Sequence, residues 1–253
     1  FAQKSGYLKA KATAYNLKGI SYYFKSDYPS ALINYERGIK IYEEIRDKKG
    51  VSKSLNNMSL IHRIQGNYFK AMSLVKQSLE MAEEAGDIEA TIIALANIGL
   101  MYSGQSNYPK ALEYNQRVLK LSEETGDEKG IQRSLTSIGI IYKGQENYAK
   151  ALECFNRALE INKTIGNRRG VGVSLNNLGS VFWDQKKHSK ALDYFEQSLK
   201  IQEELDDLPS IANTLNNIGE IYEEKEDYIS ALEYSRRALD ISNDIGDKTR
   251  AAS

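Results

Sequence analysis

The stretch Ser174-Leu-Asn-Asn-Leu-Gly179 recurs forty residues later as Thr214-Leu-Asn-Asn-Ile-Gly219. At the same offset, one column of the chain holds a very small side chain in every repeat, and another column always holds alanine. The first column is Gly19, Ser59, Gly99, Gly139, Gly179 and Gly219, and the second is Ala31, Ala71, Ala111, Ala151, Ala191 and Ala231. A fixed period of this length predicts a solenoid, in which each repeat buries its apolar face by stacking on its neighbours.

The period divides residues 1–253 into one array of about six repeats. We place the repeats at residues 8–47, 48–87, 88–127, 128–167, 168–207 and 208–247. Phe1 to Gly6 is in phase with the end of an earlier repeat, and Asp247 to Ser253 is in phase with the opening of a later one. We therefore expect partial repeats at both ends, as in a fragment of a longer array.

Charge and cysteine content argue against several classes of function. Lys plus Arg and Asp plus Glu each number 34, so the net charge is zero and no overall field attracts nucleic acid or an anionic membrane. Cys154 is the only cysteine, which excludes an internal disulfide and a multi-cysteine metal site and leaves the compartment open. No apolar run approaches the roughly 20 residues that a bilayer crossing needs. We expect no nucleic-acid partner and no membrane contact from this chain.

Each repeat is predicted to be a pair of amphipathic helices. In the third repeat, Ile92, Leu95, Ile98 and Tyr102 recur at spacings of three and four, which indicates one buried stripe. Asp or Asn predicts an N-cap for most second helices, at Asp27, Asn67, Asn107, Asn147 and Asp227, whereas Lys187 predicts a weaker one. Between repeats, glycine followed by Asp or Asn predicts a left-handed turn and a cap, at Gly86-Asp87, Gly126-Asp127, Gly166-Asn167 and Gly246-Asp247.

These columns resemble the tetratricopeptide repeat. In the fourth repeat its positions are filled by Leu135, Ile138-Gly139, Tyr142, Ala151, Phe155 and Ala158. Forty-residue units with a Gly-Asp turn are also similar to the arrays of the Leu-Gly-Asn-repeat signalling modulators and of bacterial signalling proteins. The resemblance implies an all-α, right-handed superhelical solenoid of antiparallel helix hairpins, with the first helix of each hairpin lining a concave face.

Asparagines on the first helices are the most regular candidates for a binding surface. They are Asn57, Asn97, Asn177 and Asn217, with Asn16, Asn56, Asn176 and Asn216 one residue earlier in their repeats. A primary amide both donates and accepts, so a ladder of amides can pair with the backbone of an extended peptide of any sequence. In the alternative interpretation, the same amides satisfy backbone and side-chain groups inside the solenoid.

Charged residues and one tryptophan fall on the same inferred face. Lys53, Arg63, Arg133 and Lys143 lie in the second to fourth repeats, and Glu220, Glu223 and Glu224 lie in the sixth. This polarity suits a peptide with an acidic portion, although solvated charges are the simpler explanation for any single residue. Trp183 is the only tryptophan and could be a hot spot for a partner or a packing residue.

No catalytic motif is recognisable. His62 and His188 occupy columns that hold tyrosine in other repeats, and Cys154 replaces tyrosine in the same way, so we interpret all three as packing residues. The chain has no phosphate-binding glycine loop, no zinc-ligand spacing and no nucleophile motif. We expect a chain without a cofactor or a metal and without enzyme activity.

The sequence predicts a protein-interaction scaffold that binds a peptide or protein segment in the concave groove. Two alternatives stay open. The chain could be the sensor or regulatory region of a larger signalling protein, such as a histidine kinase, a nucleotide cyclase or a transcription regulator. It could also be a self-association module, because the ends of a solenoid expose apolar faces that can stack.

Overall fold

The computed structural model describes the backbone of residues 2–251 and the side chains of residues 4–246. Over this part of the chain it contains twelve helices and no strand. The helices are α1 (Ala2–Phe24), α2 (Tyr28–Glu44), α3 (Lys48–Ile64), α4 (Tyr68–Glu84), α5 (Ile88–Gly104), α6 (Tyr108–Thr125), α7 (Glu128–Gly144), α8 (Tyr148–Thr164), α9 (Arg168–Asp184), α10 (His188–Glu204), α11 (Leu208–Glu224) and α12 (Tyr228–Ala251). The predicted all-α solenoid of helix pairs is confirmed.

Side-chain caps start several helices where the sequence predicts them. The carboxylate of Asp27 accepts from the Ser30 amide at 3.2 Å, and that of Asp87 accepts from the Ala90 amide at 3.3 Å. Lys187 offers no such bond, as expected. Asn67 and Asp127 stand at the predicted N-cap positions, but the expected capping bond is absent, because neither side chain bonds an amide of its helix. Both residues are exposed, so water can satisfy those helix ends instead.

The turns between repeats follow the glycine rule at three of the four predicted positions. Gly86, Gly126 and Gly166 have φ of 63°, 68° and 67°, the left-handed conformation that glycine adopts without strain. The fourth prediction is wrong, because α12 continues through Gly246 to Ala251. Glycine permits such a turn but does not impose it, and the described residues beyond Gly246 hold no further helix that would pack against α12.

The two chain ends differ from the predicted partial repeats. Gly6 lies within α1, which begins at Ala2, so no turn separates an earlier repeat from the first one. Likewise Asp247 is part of α12 and does not open a new helix. What was predicted for Phe1, Ala252 and Ser253 lies outside the described residues.

Close packing explains the column of small residues. A Cβ built on Gly139 would lie 2.6 Å from Cε1 of Phe155, and one built on Gly19 would lie 2.5 Å from Cε1 of Tyr35. Each of these first helices therefore approaches its second helix so closely that the aromatic ring fills the space of the missing side chain. Ala31 and Ala151 in the partner helices are fully buried, which accounts for the second invariant column.

The helices divide into two compact units, Phe1–Thr125 and Gly126–Ser253, here called unit 1 and unit 2. Within unit 1, successive helices from α1 to α6 pack in order, and α3 also contacts α1 and α5. Within unit 2, helices α7 to α12 pack in the same order, and α9 also contacts α7 and α11. In both units the first helices of the pairs thus lie side by side.

Each unit has apolar clusters between its helices. In unit 1 one cluster includes Tyr35 and Tyr42 of α2 with Leu55 and Ile61 of α3. In unit 2 one cluster joins α8 to α9, and another joins α10 to α11 and α12. Burial of these side chains between successive helices is the main force that holds each stack together.

Candidate functional site

The exposed stripe along the first helices is the surface on which the predicted site residues lie. In unit 1 this stripe, here called the first-helix face, belongs to α1, α3 and α5. In unit 2 the corresponding first-helix face belongs to α7, α9 and α11. Residues on the opposite side of these helices, such as Ile98 and Leu178, are fully buried, so helical periodicity turns the candidate residues toward solvent, except Asn16, which is buried.

Asparagine side chains connect the three first helices of unit 1. The Nδ2 of Asn57 in α3 donates to Oδ1 of Asn16 in α1 at 3.3 Å. The Nδ2 of Asn97 in α5 donates to Oδ1 of Asn56 in α3 at 2.8 Å. Asn16 is buried and also donates to Oγ of Ser54 at 2.7 Å. These amides therefore have a structural role in joining successive repeats.

Unit 2 has a shorter set of amide contacts. The Nδ2 of Asn217 in α11 donates to Oδ1 of Asn176 in α9 at 3.4 Å, and Oγ1 of Thr214 donates to the same oxygen at 3.2 Å. Asn177 is half-buried and Asn216 is exposed. Ser137 in α7 stands where an asparagine would continue the series.

The amides on both faces retain unused hydrogen-bonding capacity. An asparagine offers two N–H groups and an oxygen with two lone pairs, and each contact above uses one of these. Asn56, Asn57 and Asn97 are all half-buried, so part of each amide still faces solvent. A bound peptide backbone could pair with the remaining groups while the contacts between helices stay in place.

The four basic residues differ in whether an acidic side chain of the same chain pairs with them. Lys53 and Arg133 are exposed and Arg63 is half-buried, and none of the three forms an ion pair within the described residues. Lys143 is half-buried, and its Nζ lies 3.4 Å from Oδ2 of Asp184. A partner carboxylate would meet a cation without an ion pair at the first three positions, although Lys53 also acts on Asp87, and a competing carboxylate at the fourth.

Trp183 is both a packing residue and a lining residue of a polar cavity. It is half-buried and packs against the apolar cluster of α10 and α11 in unit 2. A cavity of about 430 Å³ beside it is also lined by Lys143, Tyr148, Asp184, Lys186 and Glu224. The indole Nε1 is buried and has no acceptor at hydrogen-bond geometry within the described residues.

Glu224 is the most strongly held carboxylate of this cavity. Its Oε1 accepts from Nζ of Lys186 at 2.9 Å, and its Oε2 lies 3.6 Å from Nε2 of His188. The Lys186 ammonium is the main cause that holds the pKa of Glu224 below its usual value, with a smaller contribution from the nearby Trp183 indole. The acidic end predicted from Glu220, Glu223 and Glu224 is thus partly neutralised at Glu224.

A second cavity, in unit 1, was not predicted from the sequence. It measures about 350 Å³ and is lined by Leu17, Ile20, Lys53, Asn56, Asn57 and Ile93, among others. Leu17 and Ile93 are 61% and 43% exposed, although both are aliphatic. The signal in the sequence was the presence of leucine and isoleucine on the solvent side of the first helices, where most other repeats have polar residues.

The histidines and the cysteine show no catalytic arrangement. The Nδ1 atoms of His62 and His188 are buried without hydrogen-bond partners in the described chain. Burial lowers the pKa of His62, and it raises the pKa of the Cys154 thiol, which disfavours the reactive thiolate. Among the described residues no three His, Cys, Asp or Glu side chains come together as a metal site.

Comparison with known families identifies these helix pairs. The model of the tetratricopeptide repeat matches residues 50–124, 130–204 and 173–244, which together make up more than half of the chain. The chain belongs to the tetratricopeptide repeat family. The resemblance inferred from the glycine, alanine and aromatic columns is thereby confirmed. No curated protein sequence matches this tetratricopeptide repeat protein.

Solved structures share the fold at low sequence identity. The apo form of RapI has a TM-score of 0.71 at 19% identity, over 93% of this chain and 99% of RapI. A Rap protein complexed with Competence and Sporulation Factor has a TM-score of 0.65 at 15% identity, over 94% of this chain and 76% of that chain. A STAND protein with a tetratricopeptide repeat sensor, from Pyrococcus horikoshii, has a TM-score of 0.78 at 18% identity, over 95% of this chain and 38% of that one. These neighbours are similar in fold, and the family supports a protein-interaction or regulatory scaffold.

We also examined whether any helix within residues 2–251 could cross a membrane. None of them has both the length and the apolar composition needed to span a bilayer.

Proposed function

We propose that this chain is a non-enzymatic scaffold that binds a peptide or protein segment on the first-helix faces of its units. The observation that carries the proposal is the set of half-buried asparagine amides, which hydrogen-bond between helices and still present donors and acceptors to solvent. Such amides can hold a peptide backbone, because they pair with its N–H and C=O groups whatever the side chains are.

Selection of the partner is assigned to the side chains around the amides. Lys53, Arg63 and Arg133 form no ion pair within the described residues, although Lys53 acts electrostatically on Asp87, so they favour a segment with acidic residues. Trp183 would contribute apolar contact at the edge of the face of unit 2. Lys143 has the weakest role of the set, because a partner carboxylate must compete with Asp184.

The fold of one structural neighbour is consistent with this proposal. A Rap protein of similar fold was solved in complex with Competence and Sporulation Factor. For the present chain, the same kind of use is supported by its own amides and cations.

A capture experiment with two matched variants tests the proposal. The first variant replaces Lys53, Arg63, Arg133 and Lys143 with alanine. The second replaces four exposed lysines of the second helices, Lys40, Lys76, Lys120 and Lys200, and so changes the net charge by the same amount. We expect a protein partner, read by mass spectrometry, to be retained by the wild type and by the second variant and lost by the first. Equal capture by all three would contradict the assignment of the basic residues.

A regulatory role is a second candidate, favoured by a different observation. The match to the STAND protein with a tetratricopeptide repeat sensor covers only 38% of that protein, so an array of this size can be one part of a larger chain. The full-length sequence that contains this chain tests the idea. A kinase, cyclase or helix-turn-helix segment next to the array would support it, and a sequence made of repeats alone would contradict it.

Self-association is a third candidate, and it is suggested by the exposed apolar side chains of α12. Tyr228, Ile229, Leu232 and Leu239 of this helix are all more than half exposed, so α12 presents an apolar stripe. Light scattering over a range of concentrations, with wild type and Leu232→Asp, decides this candidate. A mass that rises with concentration only in the wild type would support stacking through α12.

A further inference from the structure

The apolar cavity on the first-helix face of unit 1 indicates what kind of side chain a partner presents there. Leu17 and Ile20 of α1 and Ile93 of α5 line it, and the ring of Tyr42 from α2 contributes as well. Its volume of about 350 Å³ is within the range of pockets that bind ligands in proteins. The cavity is therefore large enough for one bulky side chain with room for part of the adjoining backbone.

The apolar walls of this cavity are left in contact with water by the fold itself. Leu17 is 61% exposed and Ile93 is 43% exposed, so much of both side chains faces solvent. Burial of such surface is favourable in proportion to the apolar area removed from water. An aliphatic side chain of a partner would gain this free energy, whereas a polar side chain placed against Leu17 and Ile93 would lose hydration there.

Polar groups around the walls define the rest of the segment. The amides of Asn56 and Asn57 line the cavity and keep unused hydrogen-bonding groups that suit a peptide backbone. Lys53 also lines it, is exposed and has no ion-pair partner in the described chain. Glu89 lines it as well, so the cavity offers one cation that forms no ion pair, although it acts electrostatically on Asp87, and one acid. A single carboxylate near Lys53 is favoured, and a second would be repelled by Glu89.

The corresponding positions in unit 2 lack this combination. Where unit 1 has Leu17, the repeats of unit 2 have Ser137, Asn177 and Asn217. Val173 occupies the same column as Ile93 and is similarly exposed at 39%, but it lines none of the cavities described above. The anchor position is thus a property of unit 1 and not of the repeat in general.

We infer that this cavity is an anchor pocket for one bulky aliphatic side chain of the partner segment, with a single acidic residue of that segment placed on Lys53. This inference rests on the proposed function and names the chemistry of the segment that the chain binds. It assigns specificity to unit 1, and it treats the amides as contacts to the backbone that do not depend on sequence.

Selection from a displayed library of random peptides tests the inference while the natural partner is unidentified. The purified chain serves as the target, and a selected peptide is then titrated by calorimetry. We expect the enriched peptides to share a Leu, Ile or Met close to one Asp or Glu. Replacement of that aliphatic residue with alanine is expected to weaken binding by about tenfold.

Two matched variants locate the anchor on the chain. Ile93→Ser removes an apolar wall, while Val173→Ser makes the equivalent change in unit 2, and both positions are exposed enough to tolerate serine. The expected result is a loss of about tenfold in affinity for Ile93→Ser and a change of less than about twofold for Val173→Ser. Circular dichroism of both variants confirms that the fold is retained.

The other outcomes overturn the inference in distinguishable ways. If selected peptides bind but Ile93→Ser has no greater effect than Val173→Ser, the anchor pocket is wrong and the proposed function stands. If no peptide is enriched on the wild-type chain, both the pocket and the proposed function fail. If Ile93→Ser instead dissociates a concentration-dependent dimer, the cavity binds a second copy of the chain and the inference is likewise overturned.

Discussion

Unit 1 and unit 2 share one interior contact and have different first-helix faces. In both, a glycine of the first helix lies under an aromatic ring of the second, Gly19 under Tyr35 and Gly139 under Phe155. On the outward stripe, unit 1 presents exposed Leu17 and Ile93 around a cavity, whereas unit 2 presents mainly polar and charged residues at the corresponding columns. Packing therefore fixes the glycine and alanine columns, while the outward columns are free to differ and so can carry specificity.

The contacts between successive repeats also differ in detail between the units. In unit 1, Asp47 and Asp87 each cap a first helix, and the Nζ atoms of Lys9 and Lys49 lie 2.9 and 3.0 Å from their Oδ2 atoms. In unit 2, Nε of Arg169 lies 3.0 Å from Oδ2 of Asp207, but Asp207 makes no capping bond. The aspartates at this position thus both cap a helix and form an ion pair in unit 1, whereas Asp207 in unit 2 forms only the ion pair.

The largest effect is expected from the shared interior. Gly139→Leu would force a side chain against Phe155, which is 1% exposed and cannot move without disturbing the cluster of α8 and α9. Overpacking of this kind costs about 1 to 3 kcal/mol of unfolding free energy. Urea unfolding followed by the fluorescence of Trp183, the only tryptophan, measures the change within unit 2.

A glycine without close neighbours provides the control for that variant. No heavy atom lies within 4 Å of the position that a Cβ on Gly104 would take, so Gly104→Ala is expected to be neutral or slightly stabilising. If Gly139→Leu unfolds at the same urea concentration as the wild type, the glycine column is not held by the aromatic ring. The two units would then lack the interior feature that they share.

The second prediction concerns the capping carboxylate of unit 1. Burial alone would raise the pKa of Asp87, but Lys49 and the Ala90 amide outweigh it, so the pKa lies below the usual value. The stabilisation is therefore complete above the unfolded pKa of about 3.9 and is lost as the pH falls through the lower folded pKa. Asp87→Ala removes the cap and the ion pair and is expected to cost about 1 to 2 kcal/mol at neutral pH.

Hydrogen exchange of α3 to α5, read at neutral and at acidic pH, measures that loss. We expect Asp87→Ala to be less stable than the wild type at neutral pH and close to it once the pH is low enough to protonate the wild-type carboxylate. Asp207→Ala in unit 2 is the matched control, with a smaller effect because Asp207 does not cap its helix. An Asp87→Ala chain more stable than the wild type would mean that desolvation outweighs both partners.

Most of the fold was predictable from the sequence, because the residues that recur at the forty-residue period are those that helix packing requires. The columns of Gly139 and Ala151 recur in phase, and both residues lie where the sequence indicated. The failures lie where local chemistry permits more than one structure. Gly246 could turn the chain but remains helical, and Asn67 stands at the N-cap of α4 but makes no side-chain capping bond, since both outcomes depend on neighbours rather than on the residue itself.

The candidate site was predictable only in part. The position of a residue in the repeat predicts which side of the helix it lies on, but it does not predict which side chains it contacts. The sequence placed Asn56 and Asn57 on the outward stripe but could not show that they bond Asn97 and Asn16 in neighbouring repeats. The sequence made Lys53 and Lys143 equally good candidates for binding an acidic residue, and only the structure shows that Asp184 pairs with Lys143. The cavity at Leu17 depends on how the five helices α1 to α5 pack together, which no single repeat encodes.

The smallest effect, and the one that separates the two interpretations of the asparagines, comes from single replacements on the two faces. Asn56→Ala removes the acceptor of the 2.8 Å bond from Asn97 between α3 and α5, and it is expected to cost about 0.5 to 1.5 kcal/mol of unfolding free energy. Asn216→Ala in unit 2 removes an exposed amide and is expected to change stability by less than about 0.5 kcal/mol. Urea unfolding combined with hydrogen exchange of each unit gives both values.

Binding of a selected peptide to the same two variants distinguishes the roles of the amides. If the amides served only to join the repeats, Asn56→Ala would lower stability and leave the affinity of folded protein unchanged. If they served only the ligand, neither variant would alter stability. We expect Asn56→Ala to lower both, because an amide has more hydrogen-bonding groups than one neighbour can use. A side chain that joins two repeats is thereby held in place for the partner, and that fixed position reduces the ordering cost of binding.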